Sequence, residues 1–366
     1  MAVVGYTGLP YTVITEPTEQ AVRAGITQWL ADRYGPFPRT RLMFGFSGAV
    51  KLTTPLLPAN TGQLQGVWWE GLAKRSTILQ WAGQGPMVSS KGQLRNFRFA
   101  NFSASAGSPN AAGFYFLSNV GADNQDGLFD HVEWMGSWDY GVGLNGSVTA
   151  NLNSEIAFDG VALSNDASFG TAWFWSGMTP GHSQEDQFLN YSFRNTKLEG
   201  SHGDYLRFDY GGSISIDGFN SWLHTGQSNN GVPEGTMLRV SKGPHNDSVC
   251  VLSANRIRAE LRSDQSKLID SGWGGSGHIT FTALDDTANS NKSWGNFETA
   301  SYSGAARVSY RDSALGGWHG VHTTNPTQVV YDNCHSRSGN KFGAGSLSSN
   351  FMVRYDTKIA PAVAAR

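Results

Sequence analysis

The chain has 366 residues, a formal net charge of -2 and only 15% charged residues, with no run of Lys or Arg. This balance excludes the basic patch that nucleic-acid binding requires. No stretch approaches the roughly 18 consecutive apolar residues of a membrane span, and the N-terminus lacks the basic start and apolar stretch of a signal peptide. We therefore expect a soluble protein, made in the cytoplasm, with no nucleic-acid partner and no membrane insertion.

The composition also predicts the class of fold. The chain contains 45 glycines, 12 tryptophans and 39% hydrophobic residues. Many glycines and aromatic residues with few charges favour short strands and tight turns over helices. The two cysteines, Cys250 and Cys334, lie in apolar alternations, and we interpret both as buried free thiols.

In chain order, the first predicted elements are an extended arm and a single helix. The arm covers residues 1–17, and Thr18 is placed to cap a helix that runs towards Gly35. Five apolar residues recur on one stripe at helical spacing: Ala21, Val22, Ile26, Trp29 and Leu30. We interpret this segment as a packing helix, and the sequence after it as β structure.

One figure then recurs along the chain. In EIAFDGVALSND (residues 155–166), two apolar residues alternate with others, Asp159-Gly160 interrupts, and two apolar residues follow one step out of phase. The four apolar residues are Ile156, Phe158, Val161 and Leu163. Similar figures carry Asn96, Asn101, Asp130, Asn190, Asn195, Asp217, Asn255, Asp270, Asp312 and Asp332. Supersecondary units that recur at steps of about 20–45 residues indicate a solenoid.

Two backbone geometries explain this figure. Asp-Gly at Asp159 and Asp217 suits a two-residue hairpin turn between antiparallel strands. The same turn suits Asp130 and Asp312 less well, because His and Ser follow them. Alternatively, the Asn or Asp alone adopts a left-handed conformation, and the chain bends into the next face of a coil. Because the Asn or Asp is constant and the glycine is optional, we favour the bend, which stacks coils into a parallel β-helix.

Two further segments link the chain to a known family. The segment GAVKLTTPL begins at Gly48 and is followed by Leu64, Gly66, Gly71, Ser76, Thr77 and Leu79. With the preceding helix and the coils that follow, this order resembles the pectate-lyase-like right-handed β-helix proteins, in particular phage tailspikes and tail fibres. The resemblance covers roughly residues 18–340. It departs from the family pattern at Ala49-Val50, where an aromatic residue usually follows the glycine.

This resemblance implies an all-β fold, a right-handed single-stranded parallel β-helix with a short N-terminal capping helix. We divide the chain into an N-terminal arm (1–17), the capping helix with the first coils (18–85), the parallel β-helix (86–340) and a C-terminal tail (341–366).

The resemblance also implies a function. We expect a homotrimeric phage tail protein, located in the virion, that binds a bacterial surface polysaccharide or receptor beside other virion tail proteins and needs no cofactor. One alternative is a polysaccharide depolymerase, a hydrolase or lyase on the same β-helix. Another is a purely structural tail component.

Glycan cleavage by proteins of this shape usually depends on paired carboxylates. The densest candidates are Glu199, Asp204, Asp209 and Asp217, with His202 and Arg207 beside them. Equivalent positions on stacked coils lie one rung apart, which would bring two of these carboxylates within catalytic reach. The alternative is that Asp217 is a turn residue and that Asp209 and Glu199 are solvated charges.

Two other groups of residues carry weaker signals. An acidic set offers oxygen ligands for Ca²⁺ but lacks the spacing of an EF-hand, so we predict no metal site; it comprises Asp123, Asp126, Asp130, Glu133 and Asp139. Three histidines, His319, His322 and His335, lack zinc spacing, and we interpret them as surface residues.

Aromatic residues that cluster in mid-chain are the candidates for glycan binding. They are Trp134, Trp138, Trp173, Trp175, Trp222, Tyr205 and Tyr210. In GTAWFWSG, Trp173 and Trp175 alternate with Phe174, which predicts that the two tryptophans share one face. Exposed Trp and Tyr rings would stack on sugars, whereas buried ones would fill the core or a subunit contact.

Overall fold

The computed structural model describes most of the chain. The described residues are 3–4, 10–58, 64–90, 94–107, 111–117, 125–144, 155–177, 190–200, 203–209, 212–218, 220–224, 235–240, 251–261, 266–272, 277–288, 298–304, 307–316, 318–321, 329–336, 343–345 and 351–354.

A helix near the N-terminus covers one end of the fold, as the sequence predicts. It spans Glu19–Ala31, and the side-chain oxygen of Thr18 caps it by accepting a hydrogen bond from the Ala21 N–H at 3.2 Å. Its buried stripe includes Val22, Ile26 and Trp29, which close the interior of the first coils. No helix among the described residues is long and apolar enough to cross a membrane.

The remaining strands form three long sheets and a short hairpin of Arg33–Tyr34 with Phe37–Pro38. The first sheet contains Val3–Val4, Pro10–Ile14, Arg41–Phe44, Leu64–Gln65, Trp68–Gly71, Leu94–Ala100, Gln125–Asp130, Ile156–Asp159, Tyr191–Arg194, Ser213–Asp217, Val251–Asn255, His278–Thr282, Arg307–Arg311, Val329–Asp332 and Phe351–Arg354. The second sheet contains Gly48–Leu52, Thr77–Trp81, Ser103–Ala106, Glu133–Met135, Ala162–Leu163, Lys197–Gly200, Asn220–His224, Ile257–Leu261, Asp285–Ala288, Ala314–Leu315 and His335–Ser336. The third sheet contains Pro86–Ser90, Ala111–Leu117, Ser137–Leu144, Ser168–Ser176, Asp204–Phe208, Thr236–Val240, Lys267–Ser271, Glu298–Tyr302, Trp318–Val321 and Gly343–Gly345.

The chain visits the three sheets in a fixed order, and each visit adds one parallel strand beside the last. Ile156–Asp159 pairs in parallel with Gln125–Asp130 on one side and with Tyr191–Arg194 on the other. Among the described residues, antiparallel pairing occurs only in the arm, between Val3–Val4 and Pro10–Ile14, and in the short hairpin. The predicted parallel β-helix is therefore confirmed. We expect it to be right-handed, because parallel crossovers are right-handed in nearly all proteins.

Parallel pairing also occurs within the segments predicted as the arm (1–17) and the tail (341–366). In the arm, Pro10–Ile14 pairs in parallel with Arg41–Phe44. In the predicted tail, Phe351–Arg354 pairs in parallel with Val329–Asp332. Strands that begin and end the first sheet thus lie within the segments named arm and tail.

The corner between the first and second sheets is the bend predicted from the sequence. From the strand Leu94–Ala100 onwards, the residue directly after each strand of the first sheet that leads to this corner has a positive φ: Asn101, His131, Gly160, Asn195, Gly218, Arg256, Ala283, Asp312 and Asn333. The N–H groups continue the parallel ladder across the corner, for example from His131 to the Asp159 carbonyl at 2.8 Å. The bend keeps Ile156, Phe158, Val161 and Leu163 buried, as expected.

The identity of the bending residue corrects the prediction in several coils. Asp130, Asp159, Asp217 and Asp332 each precede the left-handed residue and do not adopt the conformation themselves. Asn101, Asn195 and Asp312 bend as predicted. His131, Arg256 and Ala283 adopt the same conformation, because the ladder on both sides holds the backbone there. Asn and Asp that do not bend bond between coils, as Asn255 Nδ2 does to Asp217 Oδ1 at 2.9 Å.

The interior is filled by aromatic residues stacked from coil to coil. The ring centroids of Phe158 lie 4.8 Å from those of both Phe129 and Phe193, in parallel stacks. This distance equals the spacing of neighbouring strands, so identical positions on successive coils place their rings in contact. Cys334 is a buried free thiol, as predicted, whereas Cys250 lies outside the described residues.

One predicted surface residue lies in this interior. His319 is fully buried, and its Nδ1 shares a hydrogen bond of 2.8 Å with the Tyr331 hydroxyl. Burial lowers the pKa of His319 to about 3, because the imidazolium would lose its hydration. The prediction for His319 was wrong. His319 pairs in register with Ala300, which is buried, and the sequence alone does not give this register. His335 is exposed, as predicted, and His322 lies outside the described residues.

Candidate functional site: a polar groove on the second sheet

The outer face of the second sheet carries a polar groove. Buried Trp134, Leu163 and Leu198 occupy one inward-facing column, so the residues beside them on each strand face outwards. The groove has a volume of about 530 Å³. It is lined by Arg75, Met135, Ser164, Asn165, Asp166, Lys197 and Glu199.

Arg75 is held at the groove in a strained backbone conformation. Its φ is 64°, a left-handed value that costs a non-glycine residue energy. Its N–H donates to the Ser103 hydroxyl at 2.9 Å, and that hydroxyl donates to Glu133 Oε2 at 3.0 Å. Such strain persists only where the surrounding structure imposes it, which is typical of functional sites.

The guanidinium of Arg75 is held in place by the buried carboxylate of Glu133. The Nε atom donates to both oxygens of Glu133 at 3.1 Å, and Nη2 donates to Oε1 at 2.8 Å. The Glu133 side chain is only 5% exposed, whereas that of Arg75 is 69% exposed. The buried carboxylate therefore orients an arginine whose outer edge faces the groove.

Two further carboxylates lie within electrostatic reach of this arginine. The hydrogen bonds and negative charge of Glu133 raise the pKa of Arg75 above its ordinary value, and the charges of Asp166 and Glu199 add to the effect. Three acidic groups from three different coils thus converge on one cation. The acids are 33 residues or more apart in sequence, and the parallel register brings them together.

The remaining polar groups of the groove are only partly engaged. The Ser164 hydroxyl donates to Asp166 Oδ1, and Lys197 Nζ lies 3.0 Å from Glu199 Oε1. Within the described part of the chain, the exposed Asn165 side chain and Arg75 Nη1 have no hydrogen-bond partner. The groove therefore offers donors and acceptors side by side, with the apolar Met135 between them.

The four carboxylates predicted as catalytic candidates do not form one cluster. Glu199 lies in the groove on the second sheet, whereas Asp204 and Asp209 lie at the third sheet. Asp217 ends a strand of the first sheet, directly before the corner, and the turn residue there is Gly218. The sequence places these residues close together, but the corners of the coil distribute them over three faces.

The carboxylates at the third sheet are engaged by neighbouring coils. Asp204 is buried and accepts hydrogen bonds from the Thr236 N–H at 2.7 Å and from Arg239 Nε at 2.6 Å. Asp209 accepts from Trp175 Nε1 at 2.5 Å and from Arg207 Nε at 3.0 Å. These contacts give both aspartates a role in joining or ordering strands.

Most of the described aromatic candidates for glycan stacking lie in the core. The buried residues are Trp134, Trp138, Trp173 and Tyr205. The prediction of an exposed platform is wrong for these four, because their rings fill the coil interior, as Trp173 does against Trp134 at 5.3 Å. Trp173 and Phe174 are both buried, so the simple alternation of an inward and an outward face does not hold at these two neighbours.

Only part of the predicted aromatic set remains available at the surface. Trp175 is half-buried, and the Arg207 guanidinium lies 4.4 Å from its ring centroid. Tyr210 and the side chain of Trp222 lie outside the described residues. The residues that line the groove were mostly missed, because Arg75, Asn165, Asp166 and Lys197 belong to no local motif.

The second acidic set does not gather around a common point. Asp130 accepts from Arg98 and lies beside His131, while Glu133 binds Arg75. Burial alone would raise the pKa of Asp130, but the hydrogen bonds from His131 and Arg98 lower it below the ordinary value. No group of three potential ligands that could hold a metal occurs among the described residues, and Asp123 lies outside them.

No family model matches the chain, and no curated protein matches it. Among solved structures, the chain is similar to the Streptococcus pneumoniae surface protein and adhesin PfbA, with 10% identity and a TM-score of 0.45, covering 92% of this chain and 93% of that one. It is also similar to the catalytic domain of a GH87 alpha-1,3-glucanase in complex with tetrasaccharides, with 10% identity and a TM-score of 0.46, covering 94% of this chain and 68% of that one. At these identities the likeness concerns the fold alone.

Proposed function

We propose that the protein binds a carbohydrate in the polar groove of the second sheet. The observation that carries this proposal is the immobilised Arg75, whose free edge shares the groove with Asp166, Lys197 and Glu199. Sugar hydroxyls both donate and accept hydrogen bonds, so they match a site where carboxylates alternate with cationic donors. Ligand sites typically combine such placed polar groups with apolar surface, which Met135 supplies here.

Rigidity of the groove also supports this proposal. Arg75 is bound through two of its nitrogens before any ligand arrives, and Glu133 belongs to a strand of the parallel ladder. A pre-ordered side chain loses little conformational entropy when it binds a ligand. The site is therefore suited to recognition of a surface-bound polymer, where many weak contacts act together.

The test is binding of the full chain to a panel of bacterial surface polysaccharides. Arg75→Gln and Asp166→Asn should each weaken binding of the recognised glycan at least about tenfold, the effect of losing a charge-assisted hydrogen bond. Arg258→Gln, on a more distant strand of the same sheet, is the matched control and should leave affinity unchanged. Equal binding by all four proteins, or binding to no glycan, would overturn the assignment.

We propose a second candidate function, cleavage of the bound glycan, on the strength of Asp166 and Glu199. Both carboxylates line the same groove, and glycosidases use a pair of carboxylates about 5–10 Å apart. Incubation with the bound polysaccharide should then release reducing ends or an unsaturated product. Asp166→Asn and Glu199→Gln should each abolish product formation. Binding without any product would leave recognition as the sole function.

We further propose the setting of a phage tail, with the chain assembled as a homotrimer in the virion. The support is the resemblance of residues 18–340 to the tailspike and tail-fibre type. One chain has a mass of 39.5 kDa, and a trimer would have about three times that mass in solution. Sedimentation equilibrium of the purified chain measures this directly, and a mass equal to one chain would contradict the spike assignment.

A further inference from the structure

A second feature, on the outer face of the first sheet, is a column of stacked aromatic and cationic side chains. Tyr11, Arg41, Trp68 and Arg98 occupy equivalent positions on four successive strands. The Arg41 guanidinium carbon lies 5.8 Å from the Tyr11 ring centroid and 3.3 Å from that of Trp68. On the other side, the Arg98 carbon lies 4.5 Å from the Trp68 ring centroid.

Arg41 is unusual in this column because it is a buried cation without a carboxylate partner in the part of the chain that the structure describes. The residue is 6% exposed. Its Nη1 has one hydrogen bond, a long one of 3.4 Å to the Tyr11 hydroxyl, and no acidic oxygen of a described residue lies within salt-bridge distance. A buried charge that lacks a counter-ion is strongly unfavourable, and stacking on two rings offsets this only in part.

Unsatisfied donors accumulate along the same column. Arg41 Nε, Trp68 Nε1 and Arg98 Nε are all buried, and no acceptor among the described residues bonds to any of them. All three groups donate and none accepts, so one kind of partner, an acceptor with negative charge, would serve them all. Buried groups are satisfied in the great majority of cases, and a concentration of three within one stack therefore indicates a ligand.

The neighbouring acidic side chains are already committed elsewhere. Glu70 accepts from Tyr11 at 3.3 Å and from Asn101 Nδ2 at 3.0 Å. Asp130 accepts from Arg98 and from His131. These carboxylates balance Arg98 and hold the rim of the column, but they leave the charge of Arg41 uncompensated. Tyr11, Trp68 and Arg98 are each partly exposed, so the column reaches the surface.

We propose that this column is an oxoanion-binding site, in which Arg41 and Arg98 bind the carboxylate or phosphate group of a ligand against the Trp68 edge. A planar guanidinium matches the geometry of such groups and binds them through paired hydrogen bonds. The site lies on the first sheet, apart from the groove on the second sheet, and it does not depend on the proposed glycan binding there. Arg75 variants should affect only glycan binding in the groove, and Arg41 variants should affect only anion binding at the column.

The test uses the purified full chain and measures the urea midpoint of unfolding as anion is added at constant ionic strength. Inorganic phosphate and a galacturonate oligomer are the two probes, and the methyl ester of the oligomer is the neutral control. A ligand that binds only the folded state raises the midpoint in a saturable manner. We expect this rise for phosphate, for the oligomer, or for both, and the probe that saturates at the lower concentration identifies the source of the oxoanion.

Arg41→Met should abolish the rise, because it removes the cation and keeps an apolar chain of similar length. Arg311→Met, at an exposed position of the same sheet, should respond as the unmodified chain does. Arg98→Lys keeps the charge but loses the planar group, and it should raise the half-saturating concentration about tenfold. If Arg41→Met does not fold, the response of Arg98→Lys tests the proposal in its place. Three results would overturn the proposal: no saturable rise with phosphate and none with the oligomer, an equal rise with the methyl ester, or an unchanged response in Arg98→Lys.

Discussion

The strained arginine of the groove leads to a prediction about two variants that differ by one methyl group. Arg75→Ala and Arg75→Gly both remove the guanidinium, but only the alanine keeps a Cβ at a φ of 64°. The left-handed conformation costs a residue with a Cβ about 1–2 kcal/mol, and glycine adopts it freely. Because glycine also gains backbone freedom on unfolding, we expect Arg75→Gly to be more stable than Arg75→Ala by about 1 kcal/mol.

Arg75→Ala should be less stable than the unmodified chain, whereas the relief of strain should bring Arg75→Gly close to it. Without the guanidinium, the buried Glu133 carboxylate keeps the Ser103 hydroxyl as a donor but loses its charged partner. An under-satisfied buried acceptor costs about 1–3 kcal/mol. Because the Arg75 side chain is 69% exposed, water screens the pair, and we expect Arg75→Ala to lie in the lower part of that range.

Urea unfolding followed by tryptophan fluorescence measures both differences. The matched control is Arg256, a second arginine in the left-handed conformation, with a φ of 56°. Its partner Asp217 has a side chain that is 41% exposed, so loss of the Arg256 guanidinium should cost little while glycine keeps the same advantage over alanine. If Arg75→Gly proves no more stable than Arg75→Ala, the backbone strain assigned to this site is wrong.

Three further predictions concern the coil itself. Gly160→Ala should destabilise the chain by about 1–2 kcal/mol, because the φ of this residue is 61°. Ala283→Gly, at the same corner of another coil, should stabilise the chain. If urea unfolding shows that both variants stabilise or both destabilise the chain, the bend is contradicted. Phe158→Ala should cost about 3–5 kcal/mol, since it removes a fully buried ring stacked on both sides, and a loss below 1 kcal/mol would argue against the stack. Burial lowers the pKa of His319 to about 3, whereas the unfolded chain takes up this proton near pH 6.5. The stability that neutral His319 provides is therefore complete above about pH 6.5. It is lost as pH falls towards 3, at up to about 1.4 kcal/mol per pH unit. Unfolding at pH 7, 5 and 4 should show a shallower decline in His319→Phe, and identical slopes would refute this.

The fold was predictable because the repeated figure is local. Ile156 and Phe158, then Val161 and Leu163, carry their phase change within eight residues, and only a bend leaves all four inside. The residue that bends was less predictable. The corner ladder holds even Ala283 in the left-handed region, so the backbone constraint there is stronger than residue preference.

The groove was largely unpredictable because its contacts cross coils. Arg75 and Glu133 are 58 residues apart in sequence. They meet because two full turns of the coil, of unequal length, bring the chain back to the same face. The loops set those lengths, and no periodicity in the sequence fixes them. Glu199 was found only as part of a dense acidic segment. The burial of Trp173 stayed an open alternative in the sequence, because a local alternation does not show which face of a strand is inward.

The position of the groove beside the corner explains why its polar groups hold a fixed spacing. Glu133 and Lys197 each follow a left-handed corner residue by two positions, His131 in one coil and Asn195 in the other. The corner N–H groups bond to the next coil, so each bend is locked at the spacing of the strands, about 4.8 Å. Lys74 donates a hydrogen bond to the Gly160 carbonyl at 2.9 Å. This bond joins the turn that carries Arg75 to a corner three coils further along the chain. Polar groups placed on such a ladder keep their geometry without a ligand, and side chains on the looser loops would not. Strain at one corner should therefore change ligand affinity in the groove as well as stability.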